Sequence, residues 1–185
     1  MNKNLNAYVV ADPSKCIGCR ACEVACFTVH NENNNVGYTV GTVTTPVIPR
    51  LNLVRGEDFK MPIQCRHCED APCANSCTAG AIKQVDDVIY IDEDVCIGCK
   101  TCLLACPFGA IELLPQYKGG NPVAQLVLED GKKVAYKCDL CKGLDEQACV
   151  KACPEDALRL IMPVKDQRDK QTKAALGLLE IVKNA

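Results

Sequence analysis

Residues 96–111 read CIGCKTCLLACPFGAI, which spaces its cysteines as Cys96-x2-Cys99-x2-Cys102-x3-Cys106 and follows the last with Pro107. Residues 16–26, CIGCRACEVAC, repeat that spacing with Cys16, Cys19, Cys22 and Cys26. Two looser groups complete the set: Cys65-x2-Cys68-x4-Cys73-x3-Cys77 and Cys138-x2-Cys141-x7-Cys149-x3-Cys153. All 16 cysteines fall into these four groups, and none is left over. Self-similarity of this kind is the first feature to read in a chain, because it sets the architecture before any local propensity does.

The spacing has a chemical reason. A [4Fe–4S] cube needs four thiolates at its corners. C-x2-C-x2-C wraps three of them around one cube, and the fourth cysteine, three residues on, faces away and reaches a neighbouring cube, as in bacterial two-cluster ferredoxins. Gly18 and Gly98 sit inside the loops, where the absence of a Cβ lets backbone approach the cluster. Pro107 and Pro154 give groups three and four the ferredoxin-like C-P ending. Zinc ribbons also use C-x2-C, but zinc takes four ligands at one centre and seldom needs three so close with one exported. The seven-residue gap of group four is the least ferredoxin-like.

Composition agrees that something other than side chains holds the fold. The chain has 185 residues, no Trp, 3 Phe and 5 Tyr, and its 48% hydrophobic fraction counts the cysteines. Large side chains for a well-filled core are missing. Iron–thiolate bonds then crosslink the chain, metal binding becomes folding free energy, and the cluster-free chain is expected to be largely unfolded. The 21 basic and 23 acidic residues are well mixed, giving −2, and no basic block suggests nucleic acid. No run of 18 apolar residues is present, and the apolar stretch at Tyr8 to Ala11 is too short for a signal-peptide core. The chain reads as cytoplasmic. In a reducing compartment 16 cysteines point to metal rather than to disulfides.

The repeat extends past the ligands. Short strands are expected at 81–85, 110–114 and 157–161, with matching strands before the groups at 7–10, 88–91 and 134–136. Asp86 and Asp87, and Asp130 and Gly131, are turn signals between paired strands. Each unit is strand, cluster loop, short helix, strand. Group one departs, because Cys26 runs into Phe27, Thr28, Val29 and His30 with no such strand. The fold class is α+β. Residues 27–64 read as loop, with Asn31, NNN at 33–35, Pro46 and Pro49, and an extended piece at 50–54; the segment covers a cluster or touches a partner. Residues 170–184 carry Ala175, Leu178, Leu179 and Val182 at helical spacing, broadened by Leu176 and Ile181. That helix either packs on its own lobe or docks into another subunit.

No nucleophile–base pair, GxGxxG or P-loop is visible, so catalytic residues are none. His67 lies between Cys65 and Cys68, but the group already supplies its ligands; His30 has no partner motif and reads as loop surface. Lys15, Arg20, Lys100, Lys137, Lys142 and Lys151 lie beside ligands and read as solvated surface or as local tuning of potential.

With these motifs in place, the chain resembles the four-cluster [4Fe–4S] electron-transfer subunits of molybdopterin oxidoreductase complexes, in the HydN/HycB-like branch associated with formate dehydrogenases and hydrogenases. Residues 12–26 (DPSKCIGCRACEVAC), 65–77 (CRHCEDAPCANSC), 96–111 and 137–158 carry the match, which covers about 7–162. Thr78 stands where a proline is usual. The resemblance implies that the fourth cysteine is exchanged between groups one and four and between two and three. One cluster would use Cys16, Cys19, Cys22 and Cys153, and its neighbour Cys26, Cys138, Cys141 and Cys149. The other pair would use Cys65, Cys68, Cys73 and Cys106, and Cys77, Cys96, Cys99 and Cys102. Spacing alone equally allows groups adjacent in sequence to pair.

The implied architecture is two ferredoxin-like lobes, tandem 2[4Fe–4S] units with a long insertion and a C-terminal helix. One lobe is 1–61 plus 119–165, the other 62–118, and 166–185 forms the helix, which would dock in a subunit or self-associate. The implied function is electron relay between redox partners through four [4Fe–4S] clusters, with no substrate transformed. All-thiolate clusters lie toward the ferredoxin end, near ~−400 mV. At −2 each they would carry the chain from −2 to about −10. The implied partners are catalytic redox subunits, a molybdenum or tungsten formate dehydrogenase, a hydrogenase or both, with other iron–sulfur subunits possible and no nucleic acid. The competing readings are an accessory iron–sulfur protein for maturation of such an enzyme and a zinc-organised scaffold without redox role.

Overall fold

The computed structural model describes residues 5–31, 46–124 and 131–183. Residues 33–35 of the insertion, the turn residue Asp130 and the helix end at Asn184 lie outside the described residues.

Short strands and helices alternate around the cysteine groups. Strand β1 (Tyr8–Ala11) leads into group one, and helix α1 (Ala21–Asn31) carries its last two cysteines. The insertion then contributes a hairpin, β2 (Asn52–Arg55) and β3 (Lys60–Ile63), registered from Asn52 opposite Ile63 to Arg55 opposite Lys60. The expected extended piece at 50–54 is thus shifted and paired. Group two follows with α2 (Pro72–Asn75) and β4 (Ile82–Val85). Strand β5 (Val88–Ile91), α3 (Thr101–Ala105) and β6 (Glu112–Pro115) enclose group three. A small hairpin, β7 (Tyr117–Lys118) and β8 (Asn121–Pro122), precedes β9 (Lys133–Tyr136), group four, α4 (Ala148–Lys151), β10 (Leu158–Ile161) and α5 (Pro163–Lys183).

Five two-stranded antiparallel ribbons organise the described chain. β4 and β5 meet at Asp86 and Asp87, which both take left-handed φ (50° and 62°), the geometry that a two-residue hairpin turn needs and that Asp tolerates. β1 pairs with β10, so the strand before group one lies beside the strand after group four. In the same sense α1 packs on α4, and α2 on α3. β6 pairs with β9, which links the strand after group three to the strand before group four. Gly131 takes positive φ (75°) just before β9, where the Lys132 N–H donates to the Val123 carbonyl at 2.8 Å; between β6 and β9 lies the β7–β8 hairpin, whose turn takes positive φ at Gly119 and Gly120.

Cysteines are part of the core. One buried cluster gathers Val9, Leu51, Leu140 and Leu158 with Cys22, Cys26, Cys65, Cys138 and Cys149. The other gathers Ile82, Ile89, Ile91, Ile111 and Val134 with Cys73, Cys96 and Cys102. Helix α5 differs from both: none of its residues is buried. Only Pro163 and Asp166 in its first turn are half-buried, and it starts at residue 163 rather than 170. Its first half is polar all round, so apolar periodicity could not reveal it, but Pro163 fits a first helical position, where a missing N–H is harmless. The Asp166 N–H closes the first turn on the Met162 carbonyl at 2.9 Å.

Candidate metal centres

The four cysteine loops are built from left-handed turns. Gly18 and Arg20 take φ of 74° and 65°, and Gly98 and Lys100 repeat this with 69° and 71°. His67 (49°), Leu140 (58°) and Cys141 (54°) do the same in groups two and four. Runs that pass through left-handed residues turn successive N–H groups inward and form concavities for anions, iron–sulfur sites among them. Several N–H groups here donate to sulfur: Arg50 to Cys26 (3.2 Å), Ala157 to Cys153 (3.3 Å), His67 to Cys65 (3.4 Å), Ala135 to Cys96 and Leu140 to Cys138 (both 3.5 Å).

Two cavities are each lined by cysteines of two groups. One is lined by Cys16, Cys19 and Cys22 of group one together with Cys153 of group four. The other is lined by Cys96, Cys99 and Cys102 of group three together with Cys77 of group two. Cys19 and Cys99 are exposed at their mouths. Of the remaining eight, Cys26, Cys65, Cys73, Cys138, Cys141 and Cys149 are buried, and Cys68 and Cys106 are half-buried. Burial pushes the Cys26 thiol up to about 12, with the charges of Cys141 and Cys149 adding to it against the Arg50 N–H and guanidinium. Burial also pushes up Cys138, which lies in the field of Cys26 and Cys65. Cys68 and Cys73 are raised by burial and by Cys65 and Cys106, Cys73 to about 11. Cys22 reaches about 11 and Cys149 about 12, both chiefly by burial.

All 16 cysteines are free thiols. Thiols held this high do not ionise at neutral pH by themselves; a metal must supply the positive charge that displaces their protons. Soft sulfur donors, inward N–H groups and cavities shared by two motifs fit [4Fe–4S] clusters.

His30 corrects the sequence reading. It is not loop surface but lies in the last turn of α1, its side chain 14% exposed, with Nε2 2.9 Å from Asp139 Oδ1. Its Nδ1 lies 2.7 Å from the Cys26 carbonyl oxygen and 3.6 Å from Cys26 Sγ. Arg50 completes the network, donating to Asp139 Oδ2 at 3.0 Å and to Glu93 Oε1 at 2.9 Å. Burial works to raise Asp139, but the His30 bond and the charges of Arg50 and His30 outweigh it and hold the carboxyl at about 2. Insertion, α1, group three and group four are thereby tied together around one thiol. His67 is fully buried; its Nδ1 accepts the Ile89 N–H at 3.1 Å, and burial first, then Lys137, lower it to about 3, so it is neutral. Lys137 is the second correction. It is not solvated surface but 2% exposed, donating to the carbonyls of Ile89 and Cys138. Lys15, Arg20, Lys100, Lys142 and Lys151 are exposed.

Sulfur ligands gathered on ferredoxin-type turns define an iron–sulfur protein of the 4Fe–4S class. Residues 9–28 match the 4Fe-4S binding domain, and residues 88–154 match the 4Fe-4S dicluster domain. The chain belongs to the family of iron–sulfur electron-transport proteins that includes HydN: it is 42% identical over 155 residues to electron transport protein HydN of Escherichia coli (strain K12), covering 83% of this chain and 87% of HydN. Hydrogenase-4 component A of the same organism is 39% identical over 200 residues, covering 94% of this chain and 91% of that protein. The putative oxidoreductase AegA of that organism is 40% identical over 161 residues, 86% of this chain but 22% of AegA. The cofactors are [4Fe–4S] clusters, and the function is electron transfer. Among the described residues no helix is long and apolar enough to cross a membrane.

Proposed function

We propose that this chain is a non-catalytic electron-transfer subunit of a hydrogenase or formate dehydrogenase complex, built as two lobes that exchange their fourth cysteines. The observation that carries this reading is the pair of cavities, each lined by three cysteines of one group and the fourth of another. Cys16, Cys19, Cys22 and Cys153 would hold one cluster, and Cys77, Cys96, Cys99 and Cys102 its counterpart. The electrostatic neighbours of Cys26 and Cys73 support Cys26, Cys138, Cys141 and Cys149 for a second site and Cys65, Cys68, Cys73 and Cys106 for a third. Each bound cluster supplies a one-electron couple. The protein's part is to keep the inner thiols dry, to aim N–H donors at their sulfurs and to leave one thiol of each outer site at the surface.

The lobes would be 1–61 with 119–165, and 62–118, and the β6–β9 ribbon would join them. The packing of α1 on α4 and α2 on α3 supports this division. The dicluster match at 88–154 spans groups three and four, which are neighbours in sequence, so it does not bear on which groups exchange ligands. A relative named as a hydrogenase component supports a hydrogenase partner, and AegA, where this module forms part of a longer putative oxidoreductase, supports a catalytic partner in general. Helix α5 would dock on that catalytic subunit through Leu178, Leu179 and Val182, all more than half exposed.

Anaerobic native mass spectrometry of the full chain, tagged and purified from its own cell, tests the reading. Four cubes together with a catalytic oxidoreductase subunit are expected. Zinc, fewer cubes or a chain that never retains such a subunit would overturn it.

A further inference from the structure

Lys137 is 2% exposed, and among the described residues no acidic side chain lies against its Nζ. Its donors go to two carbonyls, of Ile89 in β5 and of Cys138. The acidic residue two positions on, Asp139, is engaged by His30 and Arg50 instead. A charge removed from water is costly unless another charge compensates it. The carbonyls orient the ammonium but carry no net charge.

Its position shows what does compensate it. Lys137 precedes Cys138 of group four and reaches across to Ile89 in the strand that leads into group three, and the Ile89 N–H in turn donates to His67 between Cys65 and Cys68 of group two. It therefore lies between the two inner sites, Cys26 with Cys138, Cys141 and Cys149 on one side and Cys65, Cys68, Cys73 and Cys106 on the other. A fully ligated [4Fe–4S] cluster is anionic and becomes more so on reduction. We propose that Lys137 is the internal counter-charge of the two inner clusters, a positioning residue that holds their reduction potentials above those of the outer pair. Lys15, Arg20, Lys100, Lys142 and Lys151 face water, where screening weakens them, and the partly buried Arg50 beside Cys26 is already paired with Asp139 and Glu93, whereas Lys137 acts through protein. The inference rests on the ligand sets proposed above.

Potentiometric titration followed by electron paramagnetic resonance tests it on the four-cluster holoprotein. Lys137→Met should make two of the four couples at least tenfold harder to reduce, about 59 mV for a one-electron couple, and leave the other two in place. Lys137→Arg should restore them, and the exposed control Lys142→Met should move none. A Lys137→Met titration that superimposes on wild type, or that lowers all four couples equally, would overturn the proposal. If the Met variant does not load iron, Lys137→Arg and Lys137→Gln decide, since both can donate to the carbonyls. Loading rescued by Arg and not by Gln supports a requirement for charge; failure of both, or loading of both with unchanged potentials, overturns it. Wild-type protein with fewer than four clusters by iron analysis would overturn the ligand sets themselves, and is seen before any variant is made.

Discussion

The cavity at Cys16, Cys19 and Cys22 and the cavity at Cys96, Cys99 and Cys102 begin with the same four letters, take the same left-handed turns and each gain one cysteine from another group. They differ in what closes them and in the path of the chain beyond the motif. Gly18 faces the stem of Lys60, a flexible side chain from the β2–β3 hairpin, whereas Gly98 faces the backbone carbonyl of Lys133 in β9. After group one the helix runs on to Asn31 and brings His30 beside Cys26; after group three it stops at Ala105, and the chain turns into β6. One motif has been fitted into two settings. The group-one end is braced by side chains from the insertion, and the group-three end by strand pairing.

The largest effect should come from removing iron, which does not respect this difference. Anaerobic chelation should abolish most of the ordered far-ultraviolet circular dichroism, because both buried clusters of the core are built around thiols. A near-native spectrum of cluster-free protein would break the comparison at its root, since neither end would then need its metal.

Substitution at the two glycines should separate the ends. Gly18→Ala meets Lys60 Cδ at 2.9 Å, which a side chain can yield, so its main cost is the left-handed backbone, ~1–2 kcal/mol. Gly98→Ala carries the same penalty and also collides with the Lys133 carbonyl, which cannot retreat without disturbing the β6–β9 ladder. The Gly98→Ala protein should lose its visible cluster absorbance under denaturant well before the Gly18→Ala protein. Equal loss would mean that the closures are equivalent.

Arg50 exists only at the group-one end. Arg50→Gln leaves Asp139 and Glu93 without their shared cation and should lower stability by about 2 kcal/mol, the range of a charge-assisted hydrogen bond. Denaturant midpoints measured anaerobically check this; an unchanged midpoint would remove the insertion's bracing role. The smallest effect should come from deletion of 166–185. Iron and sulfide content should stay at the full-length value, because α5 buries none of its residues. Loss of a cluster would show that α5 belongs to the folded body.

How legible each part of the fold is in the sequence tracks the strength of local chemistry. Strand 88–91 and the Asp86 and Asp87 turn are readable because an alternating run meets a pair that tolerates positive φ. The strands after the fourth cysteines are readable from their Ala-Ile or Ala-Leu repeats, within a residue or two. The β7–β8 hairpin escapes such reading although Gly119 and Gly120 mark it, because its two-residue strands carry no periodicity. His30 and Lys137 mislead for a common reason. Each is a lone polar residue whose burial depends on partners far away in the chain, Asp139 for one and Ile89 for the other. The ligand positions are legible in the spacing, while which groups share a cavity depends on the pairing of β1 with β10 and on helix packing, which no local pattern encodes.

Exchange of the fourth cysteine is the central claim, and iron analysis of one double variant tests it most directly. Cys16→Ala and Cys153→Ala fall in a single proposed site, so the double variant should lose no more iron than either single one: one cluster of four. Two clusters lost, with the double variant equal to the sum of the singles, would place Cys153 with its own group and contradict the account.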